Sequence, residues 1–512
     1  MLFPKVEITV PLLSAALFCL APSSLAQTIS ANQEEHIRKI EASAVNLSLD
    51  PNEPPLQMKL DKLMELFNVT GLSIAVIDDY KIAWAKGYGV TDMVSNKPVT
   101  TKTLFQAGSI SKPVAATGAL HLVEQGKLSL DEDVNQELKT WKVPENEFTK
   151  TEKVTLRRLM SHTAGLTVHG FPGYDVDAPL PTLVQILNGE KPANTEPIRV
   201  ESVPGTKENY SGGGITIEQQ LMIDVTGKPF PEFMRESVLE KIGMKDSSYQ
   251  QPLPANWASR TATGTFMDGK PVHGRWHVYP EMAAAGLWTT PTDLAMFAIE
   301  IALSKQGKAN HALSKKMTNE MLTPVLGEAG LGFFLEKKNP GQFDHNGADE
   351  GFQAILTMNT ETGKGVVIMA NSDFGIAIGD ALVRSIANEY GWSTRFEEGY
   401  WLPLIYKARG TQAALQRYVE LKKNPNFKVD ESTLNNLGYT LLYSGETQDA
   451  ITVFKRNVQE YPESSNVYDS LGESYMKAGQ KELAIANYEK SLQLDPKNQN
   501  ALEMLKKIKQ SN

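Results

Sequence analysis

Three short stretches of this chain carry side chains that can do chemistry together. In the first, Phe105-Gln-Ala-Gly-Ser-Ile-Ser-Lys-Pro-Val114, Ser109 and Lys112 stand three apart where a helix is expected to begin. Val114, Ala115, Ala116, Ala119, Leu120 and Val123 recur with helical spacing, and Gly126 ends the run. Pro113 suits the first turn, where its missing N–H costs nothing. Residues three apart on a helix share a face. A serine hydroxyl is a poor nucleophile until a base takes its proton, and a lysine one turn away can be that base. The helix N-terminus adds free N–H groups and a positive dipole end where an oxyanion would form. Ser-x-x-Lys alone proves little, because Ser474-Tyr-Met-Lys477 repeats it inside a later helix with no helix start beside it.

The second stretch is Pro204-Gly-Thr-Lys-Glu-Asn-Tyr-Ser-Gly-Gly-Gly214, leading into a helix expected over Thr216 to Thr226. A glycine cluster ahead of a helix lets backbone approach a ligand and places Tyr210 at a turn. A tyrosine there can relay protons to and from a serine, or simply close a loop. The third is Gln342-Phe-Asp-His-Asn-Gly-Ala348, ahead of a strand-like run, Phe352 to Met358. A histidine on a strand that lines a cleft can bind a substrate carboxylate or position other polar groups, although a lone histidine is more often structural. Gly347 would let substrate backbone lie against the strand.

The whole chain has 512 residues, 41% hydrophobic and 22% charged, with a formal net charge of −9. That suits a globular protein of two or three domains. The mildly acidic balance argues against nucleic acid and against an electrostatic membrane anchor. Ile8 to Ala21 form an apolar core behind Lys5, and Ser24-Leu-Ala26 precedes Gln27 as a cleavage site. Residues 1–26 therefore read as a secretory signal peptide, with an uncleaved anchor as the lesser alternative. The single cysteine, Cys19, leaves with that signal, so neither disulfides nor thiol catalysis is expected in a periplasmic or secreted mature protein.

The elements that must position these residues are spread widely. Gly71 to Ile77 and Lys81 to Gly89 read as two strands of a hairpin around Asp78-Asp79-Tyr80. Mostly helical and loop text follows from about Leu128 to Gly264, then strand text at Gly330 to Glu336, Phe352 to Met358 and Gly365 to Asn371, and a helix over Ile376 to Tyr390. Strands at both ends with helices between predict one sheet assembled from distant segments, with a helical insertion. Beyond about Trp392, Leu437-Gly438, Gly445, Ala450, Phe454 and Pro462 recur 34 residues later as Leu471-Gly472, Gly479, Ala484, Tyr488 and Pro496. That is the tetratricopeptide period: two helices, small residues where they cross, and a proline after the second. Leu402 to Pro425 looks like a degenerate earlier copy and Asn500 to Gln510 like a capping helix. So few repeats cannot bury a core alone, so the array is expected to lean on the preceding domain.

Ser109-x-x-Lys112, Tyr210-Ser-Gly212 and His345-x-Gly347 in this order resemble the penicillin-recognising serine hydrolases. The nearest branch is similar to class C β-lactamases, D-alanyl-D-alanine carboxypeptidases, D-aminopeptidases and family VIII esterases. The likeness runs from about Met58 to Tyr390 and includes Leu159-Met-Ser-His-Thr-Ala-Gly-Leu166 and Ala284-Ala-Gly-Leu-Trp-Thr-Thr-Pro-Thr-Asp-Leu294. It implies an α/β fold, an antiparallel sheet flanked by helices with a helical insertion, over residues 27–395; the 34-residue period places an all-α tetratricopeptide region after it, over 396–512. It also implies Ser109 as acylated nucleophile, Lys112 as base partner and Tyr210 as proton shuttle. His345, Gly347 and Gly212 would lie along the substrate, and the N–H groups of Ser109 and Ala348 would form the oxyanion hole. Which group is the acylation base is disputed across the superfamily.

Two departures bear on substrate. The family usually reads Tyr-x-Asn, where the asparagine amide holds the substrate amide, and this chain has Gly212. His345 stands where lysine is more usual, a change also found in the carboxypeptidase and aminopeptidase branches. No cofactor is called for. His273-Gly-Arg-Trp-His277 lacks a third ligand and the glutamate of zinc peptidases, so no metal site is expected. The leading expectation is an exported serine hydrolase acting through an acyl-enzyme on a small ester, amide or D-amino-acid peptide, without a membrane span after signal cleavage. The alternative is a weak or inactive hydrolase-like binding protein whose repeats recruit a protein partner.

Overall fold

The computed structural model describes residues 30–47, 54–393, 401–425 and 427–510. The signal peptide (1–26) and the boundary expected at 395/396 lie outside the described residues. The main sheet has six strands: β1 (Gly71–Asp78), β2 (Lys81–Gly89), β3 (Phe334–Leu335), β4 (Gln342–Asp349), β5 (Phe352–Asn359) and β6 (Gly365–Ala370). Their order is β2-β1-β6-β5-β4-β3, antiparallel throughout. The expected hairpin forms, and its turn is Asp79-Tyr80 alone, with φ of 48° and 56°. Positive φ at both positions is the turn whose twist matches that of the strands it joins. The hydroxyl of Tyr80 donates to the Thr360 carbonyl at 2.9 Å, which helps to hold the side chain of a residue in a disfavoured conformation.

Distant segments meet in the middle of this sheet, where Ile74 lies opposite Ile368 and Ile368 opposite Ile355. Side chains alternate across a strand, and both faces of this sheet are buried. Ala75, Ile77, Val367, Met369, Ala354 and Leu356 enter one apolar core. Leu72, Ile74, Val76, Val366, Ile368 and Ala370 enter the other. The flanking helices needed here are α1 (Ala31–Ala42), α2 (Ser111–Glu124), α3 (Gly212–Thr226), α4 (Pro291–Gln306) and α5 (Gly375–Tyr390). The first core holds α2, α3, α4 and the helical insertion. The second is closed by α1 and α5.

Among the described residues seven helices follow: α6 (Trp401–Arg409), α7 (Thr411–Lys423), α8 (Glu431–Tyr443), α9 (Thr447–Glu460), α10 (Ser465–Lys477), α11 (Lys481–Leu494) and α12 (Gln499–Gln510). Glycines stand where paired helices cross. A Cβ on Gly438 would lie 2.5 Å from the Phe454 ring, and one on Gly472 would lie 3.0 Å from the Tyr488 ring, one repeat later. The degenerate copy is helical as expected, with Ala414 and Tyr418 fully buried. Trp401, Leu402 and Ile405 of α6 share a core with Phe374, at the N-cap of α5, and with Ile378 and Leu382 of α5. The array does lean on the preceding domain, and on the sheet face opposite α2 and α3.

Candidate active site

Ser109 sits in a single 3-10 turn, Gly108–Ile110, that runs directly into α2, two residues ahead of the first residue of that helix. Lys112 Nζ lies 2.7 Å from Ser109 Oγ and donates to the Ala284 carbonyl at 2.8 Å. Lys112 is only 2% exposed while Ser109 remains partly open. With α2 buried along most of its length, the lysine has little freedom to leave the serine. The second Ser-x-x-Lys has no such setting. Ser474 Oγ donates back to the Leu471 carbonyl within α10, and Lys477 lies over the Tyr443 ring.

Lys112 Nζ also lies 5.1 Å from the centroid of the Tyr210 ring, so the first two stretches meet at one lysine. Here the structure corrects an expectation. The glycine cluster is not a loop ahead of the helix but its first turn: Ser211 caps α3, accepting from the Gly214 N–H at 3.0 Å. Gly212 is outside the positive-φ residues of the chain. What it leaves room for is Phe171. A Cβ on Gly212 would lie 3.0 Å from the Phe171 ring and 3.3 Å from the His169 carbonyl oxygen. Gly213 is equally crowded, 2.9 Å from the Thr167 carbonyl oxygen. These glycines admit the 167–171 segment to the first turn of α3.

His345 on β4 joins the same cluster, its ring centroid 6.3 Å from that of Tyr210 and 5.5 Å from that of Phe334. It is 3% exposed, and its Nδ1 lies 2.6 Å from the Asn346 carbonyl oxygen. A carbonyl only accepts, so Nδ1 carries the proton and Nε2 presents a lone pair, with no partner among the described residues. Burial, then the charge of Lys112, lowers its pKa to about 3. His345 is therefore neutral at physiological pH and presents an acceptor on that side, which suits the positioning role expected of it better than the binding of a substrate carboxylate. Gly347 is also used differently. A Cβ there would lie 1.9 Å from the Ala107 carbonyl oxygen and 3.1 Å from Ser109 N, and one on Gly108 would lie 2.5 Å from Ala348 N. The glycines let β4 press against the Ser109 turn, which brings the Ser109 and Ala348 backbones together.

His162 is the residue that motif reading passed over, although it lies in the quoted stretch Leu159 to Leu166. Its ring centroid is 4.2 Å from that of Tyr210, and its Nδ1 accepts from the Ser211 N–H at 3.3 Å. Burial, Lys112 and His345 hold its pKa well below the ordinary histidine value. It sits in the left-handed region at φ 57°, a conformation uncommon for a side-chain-bearing residue. No periodicity in the sequence signals this. The decoy histidines lie apart: His273 faces Asp177 and His277 faces Asp175, each at 3.2 Å. Among the described residues no group of three or more His, Cys, Asp or Glu could hold a metal ion.

A Ser-x-x-Lys pair at a helix start, flanked by a tyrosine and by an antiparallel sheet built from both ends of a domain, is the arrangement of the penicillin-recognising serine hydrolases. The chain belongs to the β-lactamase family, whose model matches residues 57–389. A tetratricopeptide model matches residues 465–498. Among curated relatives, a β-lactamase of Pseudomonas fluorescens is 31% identical over 46% of this chain and 60% of its own length. The putative penicillin-binding protein PbpX of Bacillus subtilis is 24% identical over 61% of this chain and 72% of its own. Among solved structures, the octameric penicillin-binding protein homologue from Pyrococcus abyssi superposes with a TM-score of 0.56 at 23% identity, covering 68% of this chain and 79% of that one. D-alanine carboxypeptidase AmpC from Burkholderia cenocepacia gives 0.51 at 22%, covering 64% and 96%. These two likenesses carry the fold alone.

Proposed function

We propose that this chain is an exported serine hydrolase that works through an acyl-enzyme on small esters, with amides and D-amino-acid peptides as slower substrates. The observation that carries the reading is the buried Lys112 amine 2.7 Å from Ser109 Oγ. Lys112 as free amine takes the Ser109 proton while Oγ attacks the substrate carbonyl. The oxyanion forms against the N–H groups of Ser109 and Ala348, and Tyr210, beside Lys112, returns the proton to the leaving group. Water then releases the acyl group with the roles reversed. His345, with its pKa near 3, stays neutral throughout the working range and serves as a wall and a hydrogen-bond acceptor. The preference for esters follows from Gly212 and Phe171, which leave no polar side chain at residue 212 to meet a substrate amide.

Intact-mass analysis with a fluorophosphonate and with a penicillin tests this. One adduct is expected on the wild type and none on Ser109→Ala, while Lys112→Ala should slow acylation by at least ~100-fold. An undiminished adduct on Ser109→Ala would end the assignment, and a wild type that takes up neither reagent would leave a binding protein.

A further inference from the structure

The segment from Pro280 to Leu287 gives the site one atom, the Ala284 carbonyl oxygen that receives Lys112 at 2.8 Å. That oxygen is held from outside the segment. Gln219, two turns into α3 and 2% exposed, donates through Nε2 to the Pro280 carbonyl at 3.1 Å. Its Oε1 accepts from the Ala283 N–H at 2.9 Å. The two bonds bracket the start of the short helix Met282–Ala285. At the far end of the segment, the Leu287 N–H donates to Ser111 Oγ at 3.0 Å, and Ser111 is the first residue of α2. The segment is thus tied to α3 on one side and to α2 on the other. Tyr210 lies just ahead of α3 and Gln219 within it, so one helix connects the cluster to this segment.

We propose, on the acyl-enzyme reading above, that Gln219 is a positioning residue for the Ser109–Lys112 pair. By clamping Pro280 and Ala283 it fixes the Ala284 carbonyl, and that carbonyl orients the Lys112 amine. An amine that donates one N–H to a fixed acceptor has fewer directions left for the lone pair that must receive the serine proton. A displacement of about 1 Å in such a pair lowers the rate about 100-fold. A carboxamide suits the task because one group must donate to a carbonyl and accept from an N–H at the same time. Neither an ionised carboxylate nor a thioether can do both.

Acylation by a p-nitrophenyl ester, followed by stopped flow from pH 5 to 9, tests the proposal. A wild type that forms no Ser109 adduct would overturn the acyl-enzyme reading itself, whatever Gln219 does. Gln219→Met keeps the length without either bond and should slow acylation at least ~10-fold, with the binding constant for the ester changed less than ~3-fold. Gln219→Glu can form both bonds only while its carboxyl is protonated, so its rate relative to wild type should fall as pH rises. Gln220→Ala is the reference. Its amide donates to Asp224 Oδ1 at 3.0 Å on the same helix, and its loss should leave the acylation rate unchanged. A Gln219→Met rate within ~3-fold of wild type overturns the proposal. So does a Gln219→Glu ratio that is flat with pH, even with a lowered melting temperature, since that marks packing alone. Should Gln219→Met fail to fold, the Gln219→Glu ratio still decides.

Discussion

At the scale of single residues, Gly212 is governed by Phe171 and not by its own backbone. Its φ is not left-handed, so an asparagine there suffers no conformational strain. Replacing a helical glycine by asparagine even gains a few tenths of a kcal/mol in propensity. Against this, the new Cβ meets the Phe171 ring at 3.0 Å and the His169 carbonyl oxygen at 3.3 Å, and crowding of a packed site costs ~1–3 kcal/mol. Crowding wins. Gly212→Asn should therefore lose stability in the wild-type background and lose measurably less in Phe171→Ala. Amide hydrolysis should rise only in the double variant, where the carboxamide can swing into the space that the ring leaves. A double-mutant cycle in urea reads the coupling, and equal costs in both backgrounds would remove Phe171 from the account.

At the scale of elements, α3 carries a liability as well as a clamp. Glu218 is fully buried, both its carboxylate oxygens lack a partner among the described residues, and burial raises its pKa to about 8. The unfolded value is near 4.5. Between those values the folded chain holds a proton that the unfolded chain has released, so stability falls as pH rises from about 4.5 to about 8, by ~1.4 kcal/mol per unit. Glu218→Gln removes this dependence. Its advantage over wild type in urea unfolding should be small at pH 5, grow through pH 7 and level off above pH 8. Glu281 and Asp373, both near 7, weaken the fold over similar windows but act equally in both proteins and cancel in the difference. A constant offset between the two proteins from pH 5 to 9 would place a partner beside Glu218. The same helix shows what sequence can and cannot reveal. The β1–β2 hairpin and the strands β5 and β6 were legible because short apolar, β-branched runs bounded by turn residues are written into neighbouring positions. The start of α3 was not, because three successive glycines are a general sign of a loop, and only the Ser211 cap and the close approach of residues 167–171 make them helical. Gln219 was invisible for a related reason. Its partners lie 61 and 64 residues away, at backbone atoms that carry no residue-type signature.

At the scale of the whole molecule, the two cores assign different work to the two faces of the sheet. The elements around Ser109, Lys112 and Tyr210 pack in one, while the repeats close the other. Phe374, at the N-cap of α5, and Ile378, Leu382 and Ile386 of α5 share that second core with Trp401, Leu402 and Ile405 of α6. The guanidinium of Arg384 lies over the Trp401 ring and the ammonium of Lys407 over the Phe374 ring, at 5.8 and 5.7 Å. Ending the chain at Ser393 would bare several large apolar side chains, each worth ~1.5–3 kcal/mol when fully buried. It would leave the elements around the serine untouched. The shortened chain should therefore melt at least ~5 °C lower, while its acylation rate, measured well below its melting point, stays within ~10-fold of the full chain. An unchanged melting temperature would mean that α5 closes the second core without help. A folded protein whose acylation falls further than ~10-fold would mean that the repeats reach the chemistry through the sheet, and the faces would then be coupled instead of divided.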